Sequence, residues 1–262
     1  MRVVEGGLPS GGPVVLLHGW GACAYSFRHA FDLLGRHGFR VVAADLRGFG
    51  LSDKPSASGA YSLANHREDL DQLLDALAIE RAALVGHSMG GGIALQYAFD
   101  RPERVAALAL IGPTNLVDIP MLRLPKLAPR FLARLLGRRM VPRVAIEMIL
   151  RWIAYGNASL VTDDVIDEYW APTQLPGYAY AARSTLSEFD WRPISRERAE
   201  SLTVPAVVIL GAHDRLVRGA APSARLLRGA SVHELDAGHC AHEELPERAY
   251  AVIAAHLTAQ WR

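Results

Sequence analysis

The chain has 262 residues, of which 50% are hydrophobic and 21% are charged. With 28 basic and 27 acidic residues, its net charge of +1 produces no global field that would attract nucleic acid or an anionic membrane. The composition is typical of a globular protein, and the length suits one α/β domain that carries an insertion.

The N-terminal residues 1–7 contain one arginine but no apolar segment typical of a signal peptide. The apolar run at residues 14–17 is far too short to cross a membrane, so we expect a cytoplasmic protein without stable membrane insertion. The two cysteines, Cys23 and Cys240, are too few for a disulfide framework or a Cys-rich metal site. We therefore predict no cofactor and no metal.

Strand-like and helix-like segments alternate from residue 13 to residue 111. The first apolar run, at residues 13–17, is typical of a strand buried on both faces of a parallel sheet. Further strands are predicted before residue 86 and at 40–45, 105–111, 206–210 and 231–235, and helices at 22–34, 62–78, 219–228 and 247–256. This alternation predicts a doubly wound, mainly parallel sheet.

The alternation stops between residues 113 and 203, where helix-like segments separated by prolines follow one another. An insertion at the end of a strand lies over the carboxyl edge of the sheet, where ligands bind. We therefore predict an α/β core at residues 1–112 and 204–262 and a helical cap at 113–203. Within the cap, Thr162 followed by two aspartates predicts a helix start.

The turn at residues 86–90 has the sequence Gly-His-Ser-Met-Gly, between an apolar strand and a helix-compatible segment. A sharp strand-to-helix turn of this kind lifts one serine hydroxyl clear of the sheet at a helix N-terminus. Ser88 is therefore the candidate nucleophile. The alternative, a glycine-rich turn that only caps a helix, is less favoured because both flanking elements are present.

A serine hydroxyl needs a base within hydrogen-bond reach, and that base needs a third group that fixes its tautomer. Of the ten histidines, His239 follows the last predicted strand and so emerges at the same edge as Ser88. His87 is expected to point away from the hydroxyl, His18 to hold the first glycine loop, and His213 to face the other side of the chain. We predict His239 as the base.

Asp214 lies at the end of a buried strand, one element before His239, and is the predicted acid. A simple turn aspartate is the alternative interpretation of Asp214. Asp118 is a weaker candidate, and Asp236 is too close to His239 in sequence to be preferred. The predicted chain order of nucleophile, acid and base is the one found around elbow serines.

Acyl transfer develops negative charge on an oxygen, and this charge requires hydrogen-bond donors that are fixed in advance. The backbone N–H of Met89, directly after the nucleophile, is one predicted donor. The backbone N–H of Trp20, in the glycine loop after the first strand, is the other. These two groups form the predicted oxyanion hole.

Five motifs in chain order together resemble the α/β-hydrolase fold family. They lie at residues 18–21, 45–53, 86–91, 211–215 and 237–239. The resemblance covers residues 13–258 apart from the cap, and it implies a serine hydrolase of the carboxylesterase type with the cap inserted after the sixth-strand position. Few residues precede the first core strand, so we expect one or both leading antiparallel strands to be short or absent.

The resemblance also limits the chemistry. Related haloalkane dehalogenases and epoxide hydrolases use aspartate at the elbow, and related carbon–carbon bond hydrolases usually have further glycine and proline in the oxyanion loop, which residues 18–22 lack. Perhydrolases share two of the motifs, so a perhydrolase or lactonase side activity is an alternative. A receptor-like binding protein is less favoured because nothing in the sequence breaks the predicted triad.

The predicted cap contains a basic stretch at residues 121–143 without an acidic residue. Arg130, Arg134 and Arg138 form an i, i+4 row opposite an apolar face. A solvated face is the simplest interpretation. Docking on an anionic carrier protein, as in similar esterases that demethylate acyl-carrier-protein-bound substrates, and attachment to anionic lipid are the alternatives.

Apolar and aromatic residues of the cap are candidates for a substrate pocket. They include Met121, Met148, Trp152 and Tyr178. Packing within the cap itself is the alternative role for such side chains. We expect the substrate to be a small carboxylic ester with a short to medium acyl chain.

Overall fold

A seven-stranded sheet lies at the centre of the computed structural model, which describes residues 1–120 and 141–261. The strands in chain order are β1 Val3–Gly7, β2 Gly12–Leu17, β3 Phe39–Ala44, β4 Ala82–His87, β5 Val105–Ile111, β6 Ala206–Gly211 and β7 Ser231–Leu235. Their order across the sheet is β1-β3-β2-β4-β5-β6-β7. All neighbours are parallel except β1, which runs antiparallel to β3.

The predicted α/β-hydrolase architecture, a mainly parallel doubly wound sheet, is confirmed. One leading antiparallel strand, β1, is present and pairs with β3 from Val3 to Gly7. The helical insertion lies between β5 and β6. Parallel strands that are covered on both faces explain why β4 and β5 are buried along their whole length.

Side chains of β2 alternate between two hydrophobic cores because successive residues of a strand point to opposite faces. Val15 and Leu17 join the core under the helices before and after β4, whereas Val14 and Leu16 join the core under the first and last helices. The described α-helices outside the insertion are α1 Ala30–Gly35, α2 Leu63–Ala76, α3 Met89–Asp100, α8 Ala221–Ala224, α9 Ala241–Glu244 and α10 Pro246–Gln260.

Two predicted helices are shorter than expected. The segment 22–34 forms a 3₁₀ turn at Ala24–Phe27 before α1, and the buried Asp45 carboxylate accepts the Ala24 N–H at 2.7 Å at the start of this turn. The segment 219–228 contains only the four residues of α8. Beyond α8 the N–H of Leu226 and that of Leu227 bond three residues back, as in a 3₁₀ turn.

The described part of the insertion consists of helices and turns. They are α4 Arg143–Ile149, a π turn at Leu150–Ala154, short 3₁₀ turns at Ala158–Leu160 and Ala171–Gln174, α5 Asp163–Trp170, α6 Tyr178–Glu188 and α7 Arg196–Glu200. Thr162 caps α5 as predicted, since its hydroxyl accepts a hydrogen bond from the Val165 N–H. The division into core and cap at residues 112 and 204 stays a prediction.

Met121 and the basic row at Arg130, Arg134 and Arg138 lie outside the described residues. Arg143, at the end of the basic stretch, is described and pairs with Asp163 and Asp167 on α5. No helix within residues 1–120 and 141–261 is long and apolar enough to cross a membrane.

Candidate active site

Ser88 lies at the sharp turn between β4 and α3, with φ 54° and ψ −117°. A non-glycine residue in such a conformation costs of order 1–3 kcal/mol and persists only where its surroundings hold it. Here the Ser88 N–H donates to the Ile111 carbonyl at 2.9 Å, and the Ser88 carbonyl accepts from Gly92 and Thr114 at 3.0 and 3.1 Å. The turn is therefore fixed by its own helix and by the end of β5.

The glycines on either side of Ser88 allow the backbones of neighbouring elements to touch. A Cβ atom on Gly90 would lie 2.0 Å from the Leu17 carbonyl oxygen, and one on Gly86 would lie 2.5 Å from the Gly90 carbonyl oxygen. Both distances are shorter than any non-bonded contact, so only glycine fits. The Gly-x-Ser-x-Gly spacing has a direct steric cause in this structure.

Asp214 and His239 are joined by a buried hydrogen bond of 2.7 Å between Oδ2 and Nδ1. The second carboxylate oxygen of Asp214 accepts from the backbone N–H groups of Leu216 and Val217 at 2.8 and 3.0 Å. Burial acts to raise the pKa of Asp214, but attraction to His239 and these hydrogen bonds outweigh it and lower the pKa. An ionised Asp214 holds the proton of His239 on Nδ1 and leaves Nε2 as the acceptor nitrogen.

His239 Nε2 is buried and has no hydrogen-bond partner among the described residues. Gly112, at the end of β5, connects His239 with the serine turn. A Cβ atom on Gly112 would lie 3.1 Å from His239 Nδ1, while the residue before Gly112 accepts the Ser88 N–H. The structure thus brings Ser88, Asp214 and His239 to one end of the sheet, at the carboxyl ends of β4, β6 and β7.

The loops that carry the two predicted oxyanion donors also meet. Leu17 of β2 is paired with Gly86 of β4, and Trp20 and Met89 each lie three residues beyond that pair. The Met89 N–H is the first of α3 and has no acceptor in its own helix. In the described part of the chain, neither this N–H nor that of Trp20 donates to a protein acceptor.

His18 holds the first glycine loop, as expected from its position. Its Nε2 accepts from the Leu46 N–H at 2.9 Å, and its Nδ1 lies 2.7 Å from the Gly19 carbonyl oxygen. The indole N–H of Trp20 donates to the Ala182 carbonyl of α6 at 2.8 Å. This loop is therefore tied to β3 on one side and to the helical insertion on the other.

Asp214, not Asp236, contacts the predicted base. Asp236 instead bonds to the exposed His213 at 2.7 Å. Glu243 and Glu244 are buried four and five residues after His239, and the sequence motifs did not indicate a role for them. Two consecutive glutamates so close to the base were the only signal that could have revealed them.

Of the predicted pocket residues that the structure describes, Tyr178 contacts the first glycine loop. Its side chain is buried, its ring packs edge-on against Phe49, and its hydroxyl lies 3.5 Å from the Gly21 carbonyl oxygen. Met148 and Trp152 are 58% and 68% exposed, so neither side chain forms a wall of a buried pocket. They lie four residues apart on the outer side of α4 and its π turn, a spacing that places them on one helix face.

A family model of the alpha/beta hydrolase fold matches residues 12–246. The chain is 34% identical over 248 residues to the magnesium-chelatase 30 kDa subunit of Rhodobacter capsulatus, covering 90% of this chain and 83% of that protein.

Two solved structures are similar across nearly the whole chain. A meta-cleavage product hydrolase from Pseudomonas fluorescens superposes with a TM-score of 0.83 at 25% identity, covering 98% of this chain and 94% of the other. A thermophilic esterase from Thermogutta terrifontis superposes with a TM-score of 0.79 at 27% identity, covering 99% and 93%. The fold, the strained serine turn and these matches together show that the chain belongs to the alpha/beta hydrolase family.

Proposed function

We propose that the protein is a serine hydrolase that cleaves carboxylic esters through a covalent acyl-enzyme. The observation that carries the proposal is the buried Asp214–His239 hydrogen bond at the sheet edge where Ser88 occupies its strained turn, with Nε2 of His239 free of any hydrogen bond to a described residue. A nucleophile, a base and a group that orients the base are the parts that serine acyl transfer requires.

In the proposed reaction, the Ser88 hydroxyl attacks the ester carbonyl while Nε2 of His239 takes its proton. The C–O bond to the alcohol then breaks as His239 returns that proton to the leaving oxygen. Water attacks the acyl-enzyme by the same route and releases the carboxylic acid. Asp214 stays ionised throughout and stabilises the imidazolium, which agrees with its lowered pKa.

The negative charge of the tetrahedral intermediate needs donors that do not have to reorganise. The backbone N–H groups of Met89 and Trp20 supply these donors in the proposal, because both come from loops held in place by the β2–β4 register. Such preorganised donors are worth about 10² to 10³ each in kcat in related acyl-transfer enzymes.

Ester cleavage is favoured over two other reactions of similar proteins. A serine at the turn forms an acyl-enzyme with esters, whereas the resemblance places aspartate at this position in epoxide hydrolases. The esterase from Thermogutta terrifontis supports the choice. Carbon–carbon bond hydrolysis is the competing reaction, because a meta-cleavage product hydrolase has a similar structure. Residues 18–22 weigh against it, since they lack the further glycine and proline usual in the oxyanion loop of such hydrolases.

The direct test is labelling by a fluorophosphonate probe, together with turnover of p-nitrophenyl esters from acetate to palmitate. The wild type should be labelled, and Ser88→Ala should lose the label and about 10⁶ of kcat, as when the nucleophile is removed from other triads. Ser26→Ala is the control, because Ser26 is a buried serine outside the site. Near-normal ester turnover by Ser88→Ala would contradict the proposal.

A second candidate is an accessory role in a magnesium chelatase, supported by the identity to the Rhodobacter capsulatus subunit over 90% of this chain. This role predicts that the purified protein raises the rate of magnesium insertion by a chelatase and that the Ser88→Ala variant raises it equally. Loss of this effect in Ser88→Ala would show that the hydrolytic site is required. Docking of a carrier protein on the basic row, and perhydrolase or lactonase side activities, stay predictions.

A further inference from the structure

Glu244 binds three backbone N–H groups from two segments that are far apart in the chain. Its Oε1 accepts from the Gly238 N–H at 2.8 Å, and its Oε2 accepts from the N–H groups of Gly156 and Asn157, both at 2.9 Å. Gly238 directly precedes the proposed base, while Gly156 and Asn157 belong to the helical insertion. One carboxylate therefore holds the base loop and the insertion together.

The same two segments also bond to each other at the base itself. The Ala154 carbonyl accepts from the backbone N–H groups of His239 and Cys240 at 2.7 and 3.2 Å. A Cβ atom on Gly238 would lie 2.2 Å from the Gly156 nitrogen, and one on Gly156 would lie 2.7 Å from the Gly238 nitrogen. The backbones are in direct contact, with no room for a side chain between them.

The neighbouring Glu243 strengthens this junction through side chains. Its buried carboxylate accepts from the hydroxyls of Tyr155 and Tyr169 at 2.9 and 2.6 Å. Arg28, from the first loop of the core, pairs with the same carboxylate at 2.5 Å. Glu243 thus has a cation as its partner, whereas the partners of Glu244 are backbone N–H groups.

We propose that Glu244 is a positioning residue for His239, holding the base loop and residues 154–157 of the insertion as one unit. The inference rests on the proposed ester hydrolysis, because positioning matters only if His239 transfers protons. Glu244 is suited to this role because both of its carboxylate oxygens accept backbone N–H groups at the junction and because it lies at the end of α9, five residues after the base. A displaced insertion would displace Nε2 of His239 with it.

The isosteric variant Glu244→Gln tests the proposal. A glutamine has one oxygen and one NH₂ group, so it must point a donor either at Gly238 or at the pair Gly156 and Asn157. Misplacement of a catalytic group by about 1 Å costs about 10²-fold in rate. We expect kcat/KM for ethyl butyrate to fall by about 10- to 100-fold, because His239 would be displaced by part or all of this distance.

A comparison of two leaving groups separates positioning from loss of folded protein. The ethoxide leaving group needs a proton from His239, whereas p-nitrophenolate leaves without one. Glu244→Gln should therefore lower kcat/KM for ethyl butyrate more than for p-nitrophenyl butyrate. A merely destabilised protein would lose both activities in equal proportion, and that equal loss would overturn the proposal.

Glu188→Gln is the matched control. Glu188, on α6, also accepts a backbone N–H from another segment, that of Tyr61 at 2.9 Å, but it holds the insertion away from the base. This control should leave the ratio of the two esters unchanged. If Glu244→Gln does not fold, Glu244→Asp keeps the charge, shortens the side chain and should move the ratio in the same direction.

Hydrogen exchange gives a readout that does not depend on ester cleavage. The amides of His239 and Cys240 should exchange faster in Glu244→Gln than in the wild type or Glu188→Gln, since they bond to Ala154 across the same junction. Unchanged exchange there would overturn the positioning role. Inactivity of the wild type toward both esters would instead contradict the proposed function.

Discussion

His87 Nε2 lies 3.1 Å from the backbone carbonyl oxygen of His239, and the two imidazole rings pack with centroids 4.8 Å apart and planes tilted by 52°. Because a carbonyl only accepts, Nε2 of His87 carries the proton. Burial lowers the pKa of His87 well below its usual value, with His242 and His239 adding to the effect. A neutral imidazole next to Ser88 therefore fixes the backbone of the proposed base across the sheet edge.

Asp214→Asn should reduce kcat by about 10⁴ without unfolding the protein. An asparagine amide can present its NH₂ group to Nδ1 of His239, which favours the tautomer with the proton on Nε2 and removes the acceptor that Ser88 needs. Ester turnover and the circular dichroism of the variant measure the two effects. Asp236→Asn is the matched control, since Asp236 is exposed and bonds to His213; similar losses in both variants would argue against Asp214.

Gly112→Ala should lower both activity and stability, and the two losses can be separated. Gly112 has φ +46°, and an added Cβ would lie 3.1 Å from His239 Nδ1 and 3.2 Å from Asp214 Oδ2. The left-handed backbone costs about 1–2 kcal/mol for a residue with a side chain. Displacement of His239 should reduce kcat/KM by about 10- to 100-fold.

The control for Gly112→Ala is Gly219→Ala. Gly219 has φ +79° and no atom within 4 Å of the added Cβ position, so it carries the backbone cost without the contact. Denaturant unfolding should show a loss of stability in both variants, larger in Gly112→Ala because of the added contact, while only Gly112→Ala loses activity. Full activity of Gly112→Ala would show that His239 tolerates the contact.

His242→Phe should make stability less sensitive to acid. Both ring nitrogens of His242 are buried without a hydrogen-bond partner among the described residues, and burial lowers its pKa from 6.5 to about 3. Between these two values the unfolded chain binds a proton that the folded chain does not. The free energy of unfolding therefore keeps its full value above about pH 6.5 and falls as the pH decreases. Between the two pKa values, the free energy of unfolding falls by about 1.4 kcal/mol for each unit by which the pH decreases.

Urea unfolding at several pH values between 4 and 8 measures this effect. The wild type should lose stability more steeply than His242→Phe as the pH falls, because phenylalanine fills the space between Phe27 and His87 without a titrating group. Parallel curves for the two proteins would show that His242 does not contribute to acid sensitivity.

Much of the fold could be predicted from local sequence because its causes are local. Apolar runs such as residues 13–17 and 105–111 lie close to β2 and β5, since strands covered on both faces need uninterrupted burial. The strained turn at Ser88 was signalled by flanking glycines that avoid steric contact with Leu17 and with the turn's own backbone. Asp214 and His239 were predicted as site residues because each follows a strand that ends at this edge, β6 being buried and β7 largely exposed.

Only the tertiary structure revealed the contacts between distant segments. Gly156 and Glu244 are 88 residues apart, and His87 and His239 are 152 residues apart, so no periodicity relates them. The exposure of Met148 and Trp152 likewise depends on which face of α4 packs on its neighbours. Sequence determined the parallel sheet and the serine turn through backbone and burial preferences, whereas three-dimensional packing decided how the helical insertion contacts the loop of the proposed base.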